Sequence, residues 1–361
     1  VQDLHTQLHR YEVLKDLKVQ YTLSQDSQVH YRHTAKPSVR GGELDPSSLK
    51  IGLYQPRSHS LVDLDDCLAQ TPMINQLLDD LRRLCPDVGI VGYEHGDELK
   101  TDPICRLRYV VIRQGESPNS DQHPPASDKR TVTDLTPALH LTLIVTFIDF
   151  DLVDRLVQLL AHHNPVLSGV AIHLNRLKGN AIFDFSSPSH HHWGEPSLLT
   201  TIRLSEHTSP LVLQISATSF AQVNPHVAER AYQHVVSTLN PQPQELGLDL
   251  YCGVGTIGLL MAQKSRKNGG PLKRLWGLEE TESSISDARY NAKSNGIDEA
   301  EFIEGRAEDT LTQLIDHFLC YDQPSLVVAL NPSRRGCQAD VLRSITQLQP
   351  RAIAYMSCHA R

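Results

Sequence analysis

The chain has 361 residues, 40% hydrophobic and 21% charged, with a net charge of −8 and a pI near 6.2. That composition fits a soluble globular protein of about two domains, and its acidity argues against broad nonspecific nucleic-acid binding while leaving room for a local basic site. No run approaches the roughly 20 apolar residues of a membrane span, no secretory signal opens the chain, and the seven cysteines lack a framework spacing, which fits a reducing cytoplasm.

In chain order, Leu4 to Val19 place apolar side chains near helical spacing, so residues 1–25 read as a helix and linker. Residues 26–200 have α+β texture. QVHYRHTAKPSV reads as a strand, and KIGLYQPRSHSLVDLDDC as a hairpin turning near Pro56 to Ser58. Ile74, Leu77, Leu78 and Leu81 share one helix face within Thr71 to Leu84. RLRYVVIRQG and LHLTLIVTFID are strands, with Glu116 to Arg130 between them as a Ser-, Pro- and Asp-rich loop. A helix over Leu152 to His162 follows, then strands around Val170 to Asn175 and Ala181 to Phe185. His190, His191 and His192 fall in a Ser/Pro-rich stretch without an acidic or cysteine partner at ligand spacing, so they read as a solvated loop.

From residue 201 to 361 strands and helices alternate, as in a doubly wound sheet. Asn224 and Pro225 mark a helix start. Gly247 to Ala262 is a buried strand, a glycine turn and a helix start, with Gly253, Gly255 and Gly258 spelling GxGxxG. Glu279 ends the next apolar strand, where a ribose-binding acid is expected. NAD and S-adenosylmethionine both satisfy that spacing. Asp249, read as facing the ligand, favours S-adenosylmethionine because a carboxylate there would meet a dinucleotide pyrophosphate. LVVALNPSRRG puts Asn331 at another strand end, with Arg334 and Arg335 behind it. AIAYMSCHAR puts Cys358 just past a further strand, beside Ser357 and His359, where a nucleophile is the better reading than a buried thiol.

Five stretches carry a resemblance to a known family: SFAQVNPHVAERAY, LDLYCGVGTIGL, GLEETESSISDARYNAKSNG, LNPSRRG and AYMSCHA. Together they span Ser219 to Ala360, and weaker similarity runs back through YRHTAK and DLDDC. The chain resembles the S-adenosylmethionine-dependent RNA uracil-5-methyltransferases, most nearly the short bacterial 23S rRNA enzymes without a TRAM domain. The resemblance implies a Rossmann-like class I methyltransferase domain preceded by a smaller α+β domain that faces RNA. It implies S-adenosylmethionine contacts at Gln222, Tyr251, Glu279 and Asn331, and a catalytic Cys358. It also implies a [4Fe-4S] cluster in many members, of whose ligands only Cys67 is matched here, the other three preceding Val1. A general base, a glutamate, lies beyond Arg361, so the methyltransferase domain is expected to be truncated at its C-terminus. Ser333 stands where the family has a second proline, and His359 where it has asparagine.

The expected protein is thus a cytoplasmic, monomeric RNA uracil-C5-methyltransferase acting on 23S rRNA. Its local basic site is read as Arg32, Lys36, Arg106, Arg108, Arg334 and Arg335. A tRNA target, an NAD-dependent oxidoreductase and a non-catalytic RNA- or S-adenosylmethionine-binding fragment are the alternatives.

Overall fold

The computed structural model describes residues 28–42, 48–58, 60–94, 96–97, 100, 102–118, 135–187, 189–319 and 325–357. The helix expected over Leu4 to Val19, most of the loop expected from Glu116 to Arg130, and Cys358 lie outside these residues. The described chain divides into two compact units, one of residues 28–202 and 210–225, the other of 203–209 and 226–357. Among the described residues no helix is long and apolar enough to cross a membrane.

The first unit is built on an eleven-stranded sheet. Its elements are β1 (Thr34–Ala35), β2 (Ser38–Gly41), β3 (Leu49–Tyr54), β4 (Leu61–Asp63), α1 (Pro72–Val88), β5 (Val91–Gly92), β6 (Arg106–Pro118), β7 (Leu135–Val145), α2 (Phe150–His163), β8 (Leu167–Leu174), β9 (Ser189–Gly194), β10 (Ser197–Ile202) and β11 (Leu211–Ser216). The main path through the sheet runs β4-β3-β2-β6-β7-β8-β9. Helix α1 starts with proline in its first turn and ends at Gly89 in the left-handed region, the usual asymmetry of helix ends. Its Ile74, Leu77 and Leu81, with Val153, Leu156 and Leu160 of α2, bury one sheet face through Leu107, Val110 and Ile112 of β6 and Leu139, Leu141 and Leu143 of β7. On the other face Tyr109, Val111 and Ile144 are covered by Ile182 and Phe183.

Two local expectations fail in this unit. His190 to His192 form no loop: they lie in β9, antiparallel to β8 with Ile172 opposite His190 and Ala171 opposite His191. His192 Nε2 sits 2.8 Å from Asp154 Oδ1. The pairing edge of β8 outweighs the turn-prone composition around the triplet. Conversely, residues 181–185 form no strand. Their backbone is satisfied by side chains instead: the Asn175 amide donates to Ala181 O and Ile182 O at 2.7 and 2.8 Å, and the Asp184 N–H donates to His173 Nε2 at 2.9 Å.

The second unit alternates helix and strand: α3 (Pro225–Leu239), β12 (Leu246–Leu250), α4 (Thr256–Lys267), β13 (Arg274–Glu279), α5 (Glu282–Ser294), β14 (Ala300–Glu304), α6 (Ala307–Leu319), β15 (Leu326–Leu330), α7 (Ala339–Leu348) and β16 (Ala352–Tyr355). The five strands are parallel, in the order β14-β13-β12-β15-β16. The chain walks outward from β12 in one direction, then returns to its other side, so a topological switch point lies between β12 and β15. The strands read as apolar runs because both faces are covered. Leu246, Leu248 and Leu250 of β12 pack with Trp276, Leu311, Val328, Val341 and Ile345. Period-two alternation turns Gly247 and Asp249 to the opposite face.

Candidate functional site

The carboxyl end of β12 is where the second unit departs from regular backbone. Tyr251, the residue after the strand, has φ +61°, uncommon for a non-glycine residue. Gly255 follows in the left-handed region at φ +85° and opens α4, and a Cβ there would meet the Phe302 ring at 2.8 Å. Only glycine serves at this position. Gly258 is needed for a different reason. Its φ is ordinary, but a Cβ would lie 3.1 Å from Asp249 Oδ2 and 3.3 Å from Leu275 Cδ2. The first turn of α4 therefore rests directly on the strands beneath it.

Asp249 does not face the ligand side. It is fully buried, and its Oδ2 accepts the Gly258 N–H at 2.7 Å. Burial first, then the Glu279 charge, pushes its carboxyl up to about 7, against the pull of the Gly258 hydrogen bond. The physical reason is strand parity: position 249 points into the layer beneath α4. Asp249 therefore does not discriminate against a dinucleotide.

The turn itself carries a replacement argument. Glu279 ends β13, and its Oε2 accepts the Gly253 N–H at 3.2 Å while its Oε1 accepts the Thr281 N–H at 3.0 Å. The Gly255 N–H is taken by Cys252 O at 2.9 Å, and the Gly258 N–H by Asp249. Three glycine N–H groups that a pyrophosphate would use at a helix N-terminus are thus held inside the protein. What this edge offers instead is acceptors.

Tyr251 and Asn331 complete the edge. Leu250 pairs with Leu278 on one side and Leu330 on the other, so Tyr251, Glu279 and Asn331 follow adjacent strands to the same end of the sheet. The Asn331 N–H donates to Leu250 O at 3.2 Å. The Tyr251 hydroxyl donates to Glu308 Oε1 at 3.3 Å. Burial, then the neighbouring Cys337 and Glu308, push the Tyr251 phenol well above its ordinary value, so it stays a neutral donor. Burial likewise raises the Cys337 thiol. Sequence reasoning passed over Glu308; its place in the first turn of α6, just past the end of β14, is the signal that would have found it.

Residues 244–348 match the family model of a methyltransferase domain. The Rossmann-like α/β class expected for this part of the chain is the class observed. Over nearly its full length the chain is also similar to curated relatives. An uncharacterised RNA methyltransferase of Clostridium acetobutylicum is 26% identical over 345 residues, 96% of this chain and 65% of that protein. Proteins described in the same words from Enterococcus faecalis and Halalkalibacterium halodurans are each 28% identical, covering 99% of this chain and 68% of their own length. The chain thus spans about two thirds of the length of the curated relatives it matches.

The remaining sequence-predicted residues fall elsewhere. Gln222 belongs to the first unit and is half-buried, next to Val223, whose carbonyl accepts the His33 N–H at 2.8 Å. Cys67, also in the first unit, is a half-buried free thiol. No group of three or more His, Cys, Asp or Glu side chains able to hold a metal occurs among the described residues, so these residues do not by themselves fit a [4Fe-4S] cluster. Cys358 lies outside the described residues; Met356 leaves β16 at the same sheet edge, its N–H donating to Leu330 O at 2.8 Å.

The expected basic patch needs correction. Arg106 is buried, 3.1 Å from Asp97 Oδ2 and 2.9 Å from Asp102 Oδ2. Arg108 is 1% exposed and donates to Asn175 Oδ1 and Leu177 O at 3.1 and 2.7 Å. Both hold the fold of the first unit and present no charge to a polyanion. Arg334 and Arg335 are exposed, on a turn closed by the Gly336 N–H donating to Ser333 O at 2.9 Å.

Proposed function

We propose that this chain is the greater part of an S-adenosylmethionine-dependent RNA uracil-C5-methyltransferase, with 23S rRNA as its substrate. The observation that carries the reading is the Glu279 carboxylate, at the sheet edge shared with Tyr251 and Asn331, beside a turn whose Gly253, Gly255 and Gly258 N–H groups are held inside the protein. Such an edge suits a cofactor that presents ribose hydroxyls and a positive centre, and it suits a pyrophosphate badly. Similarity to RNA methyltransferases along nearly the whole chain supports an RNA substrate. The expectation of a cytoplasmic monomer belongs to the same reading.

The residues present fit the cofactor. Each Glu279 oxygen already accepts one backbone N–H and keeps lone pairs for a ribose hydroxyl. The space beside Gly253 is open: among the described residues, its chain neighbours apart, no atom lies within 4 Å of where a Cβ would stand. Tyr251 and Asn331 end or follow the strands at the same sheet edge as Glu279. Bound S-adenosylmethionine supplies an electrophilic methyl group. Uracil C5 is too weak a nucleophile to take it unaided, so Cys358 adds as a thiolate to C6 and makes C5 enolate-like. C5 would then bond the methyl carbon as the sulfonium C–S bond breaks, after which the C5 proton leaves to a base and the Cys358 thiolate is expelled. The uridine has to be unstacked to reach the cleft, at a cost of a few kcal/mol that is least in a loop.

RNA carrying 5-fluorouridine tests the reading, because fluorine at C5 cannot leave as a proton and the Cys358–C6 bond then persists. A covalent protein–RNA adduct is expected in the presence of S-adenosylmethionine. Cys358→Ala abolishes it and leaves cofactor binding intact. An adduct that survives Cys358→Ala refutes the nucleophile, and a folded, cofactor-binding, full-length protein that forms none supports a binding role without catalysis.

A further inference from the structure

The first unit holds a cavity of about 130 Å³, lined in part by Arg32 and Lys36 of the expected basic site. At about 30 Å³ per water molecule it has room for roughly four waters. Arg32, Lys36 and Gln70 supply its polar wall, Leu53 and Val223 part of its apolar wall, and Cys67 sits between. Among the described residues two cations line it, and no aspartate or glutamate does. In a chain of net charge −8 this is an unusual local balance.

The site is built rather than incidental. Arg32 and Gln70 are backbone-bridged, and the segments around them are tied by Arg32 N–H to Ala69 O at 2.9 Å, Thr71 N–H to Arg32 O at 3.3 Å and His30 Nδ1 to Gln70 O at 2.7 Å. Gln70 is only 7% exposed, and its Oε1 is buried without a hydrogen-bond partner among the described residues. The Arg32 Nε is buried and unpartnered in the same sense. Buried polar atoms are normally satisfied, at a cost of about 1–3 kcal/mol when they are not. An amide can present either its oxygen or its NH2 at one position, so Gln70 can turn a donor inward.

We propose that this cavity is an oxyanion site that takes one phosphate group, with Lys36 and Arg32 supplying charge and the Gln70 amide a hydrogen bond. An anion there accepts from the Arg32 Nε–H and, with the Gln70 amide turned, from its NH2, and it neutralises the two cations. It also relieves Lys36. That residue is itself exposed, and desolvation first and the Arg113 charge second lower its ammonium to about 8. The phosphate comes from an RNA backbone or from a free anion in solution, and the inference does not depend on the methyl-transfer reading.

Binding of inorganic phosphate to the full chain is measured by 31P NMR at fixed ionic strength. Wild type is compared with Lys36→Gln, Lys36→Arg and Gln70→Met, and with Lys178→Gln, which removes an exposed charge outside the cavity. Lys36→Gln and Gln70→Met should each weaken phosphate by about tenfold, the scale of one charge-assisted hydrogen bond. Lys36→Arg and Lys178→Gln should stay close to wild type. In a second arm, anisotropy of a labelled single-stranded RNA is followed against salt. A fall of about 0.7 in the log–log slope with Lys36→Gln identifies an RNA phosphate as the occupant. An unchanged slope with lost phosphate binding identifies a free anion. If folded Lys36→Gln and Gln70→Met leave both phosphate and RNA binding unchanged, or if Lys178→Gln weakens them equally, the site is refuted.

Discussion

Replacing Asp249 by asparagine should change the pH dependence of stability in a defined direction. Asp249 is fully buried, and its carboxyl is raised from 3.8 to about 7, chiefly by burial. A folded pKa above the unfolded one means that its contribution to stability is complete below about pH 4 and is lost as pH rises through about 7. The shift is about three pH units, so at about 1.4 kcal/mol per unit the ionised form costs the fold up to about 4 kcal/mol in alkaline solution. Asparagine keeps an acceptor for the Gly258 N–H but never ionises. Asp249→Asn should therefore be near neutral at pH 4 and stabilising at pH 8, by a difference of up to about 4 kcal/mol. Urea unfolding followed by Trp276 fluorescence is the assay, in a Trp193→Phe background, because Trp276 is buried in this unit and Trp193 belongs to the other. The difference between variant and parent cancels every other titrating group, including His140, whose pKa burial lowers to about 4. Parallel pH profiles for the two proteins would refute the reasoning.

Glu279→Ala should weaken S-adenosylmethionine by about 1–3 kcal/mol in calorimetry, the loss of a charged hydrogen-bond acceptor; unchanged affinity removes Glu279 from the site. Reversing the charge of Arg334 and Arg335 should flatten the salt dependence of RNA binding without lowering Tm, since both side chains are exposed. A slope equal to that of the parent would mean they are solvated and nothing more. Gly258→Ala should lower Tm, because a Cβ 3.1 Å from Asp249 Oδ2 overpacks at about 1–3 kcal/mol against a helix-propensity gain of about 1 kcal/mol. A raised Tm would show slack between α4 and β12.

The alternation of apolar runs and helix faces made the doubly wound sheet legible, since β12, β13, β14, β15 and β16 each begin and end within a residue or so of where the runs do. Polar residues just past those runs, Tyr251, Glu279 and Asn331, were legible as strand-end residues for the same reason. What the pattern hid was direction. Asp249 and Glu279 both look like acids near a strand end, but one is inside the strand with inward parity and the other is its last residue. In RLRYVVIR the arginines look like the solvated side of a half-buried strand. A register shift between Leu107 and Tyr109, and side chains from residues 97, 102 and 175, put Arg106 and Arg108 inside instead. These partners lie up to 67 positions away along the chain, beyond any local periodicity.

The same limit explains why a GxGxxG spelling decides so little. Its value to a dinucleotide depends on free N–H groups, and the spelling is silent on who holds them. Here Glu279 lies 26 residues after Gly253, the distance expected of a ribose acid, and reaches back to take the turn's N–H. The carboxylate that would bind a ribose is therefore also the one that closes the turn to a pyrophosphate. Asp249 does the same for Gly258 from beneath. Each acid blunts the positive end of α4. With these N–H groups held inside, the discriminating feature of this edge is the surplus of carboxylate oxygens on Glu279 and Glu308. That surplus, more than the glycine pattern, is the physical ground for placing a cationic, hydroxyl-bearing cofactor at the edge in preference to a polyanionic one.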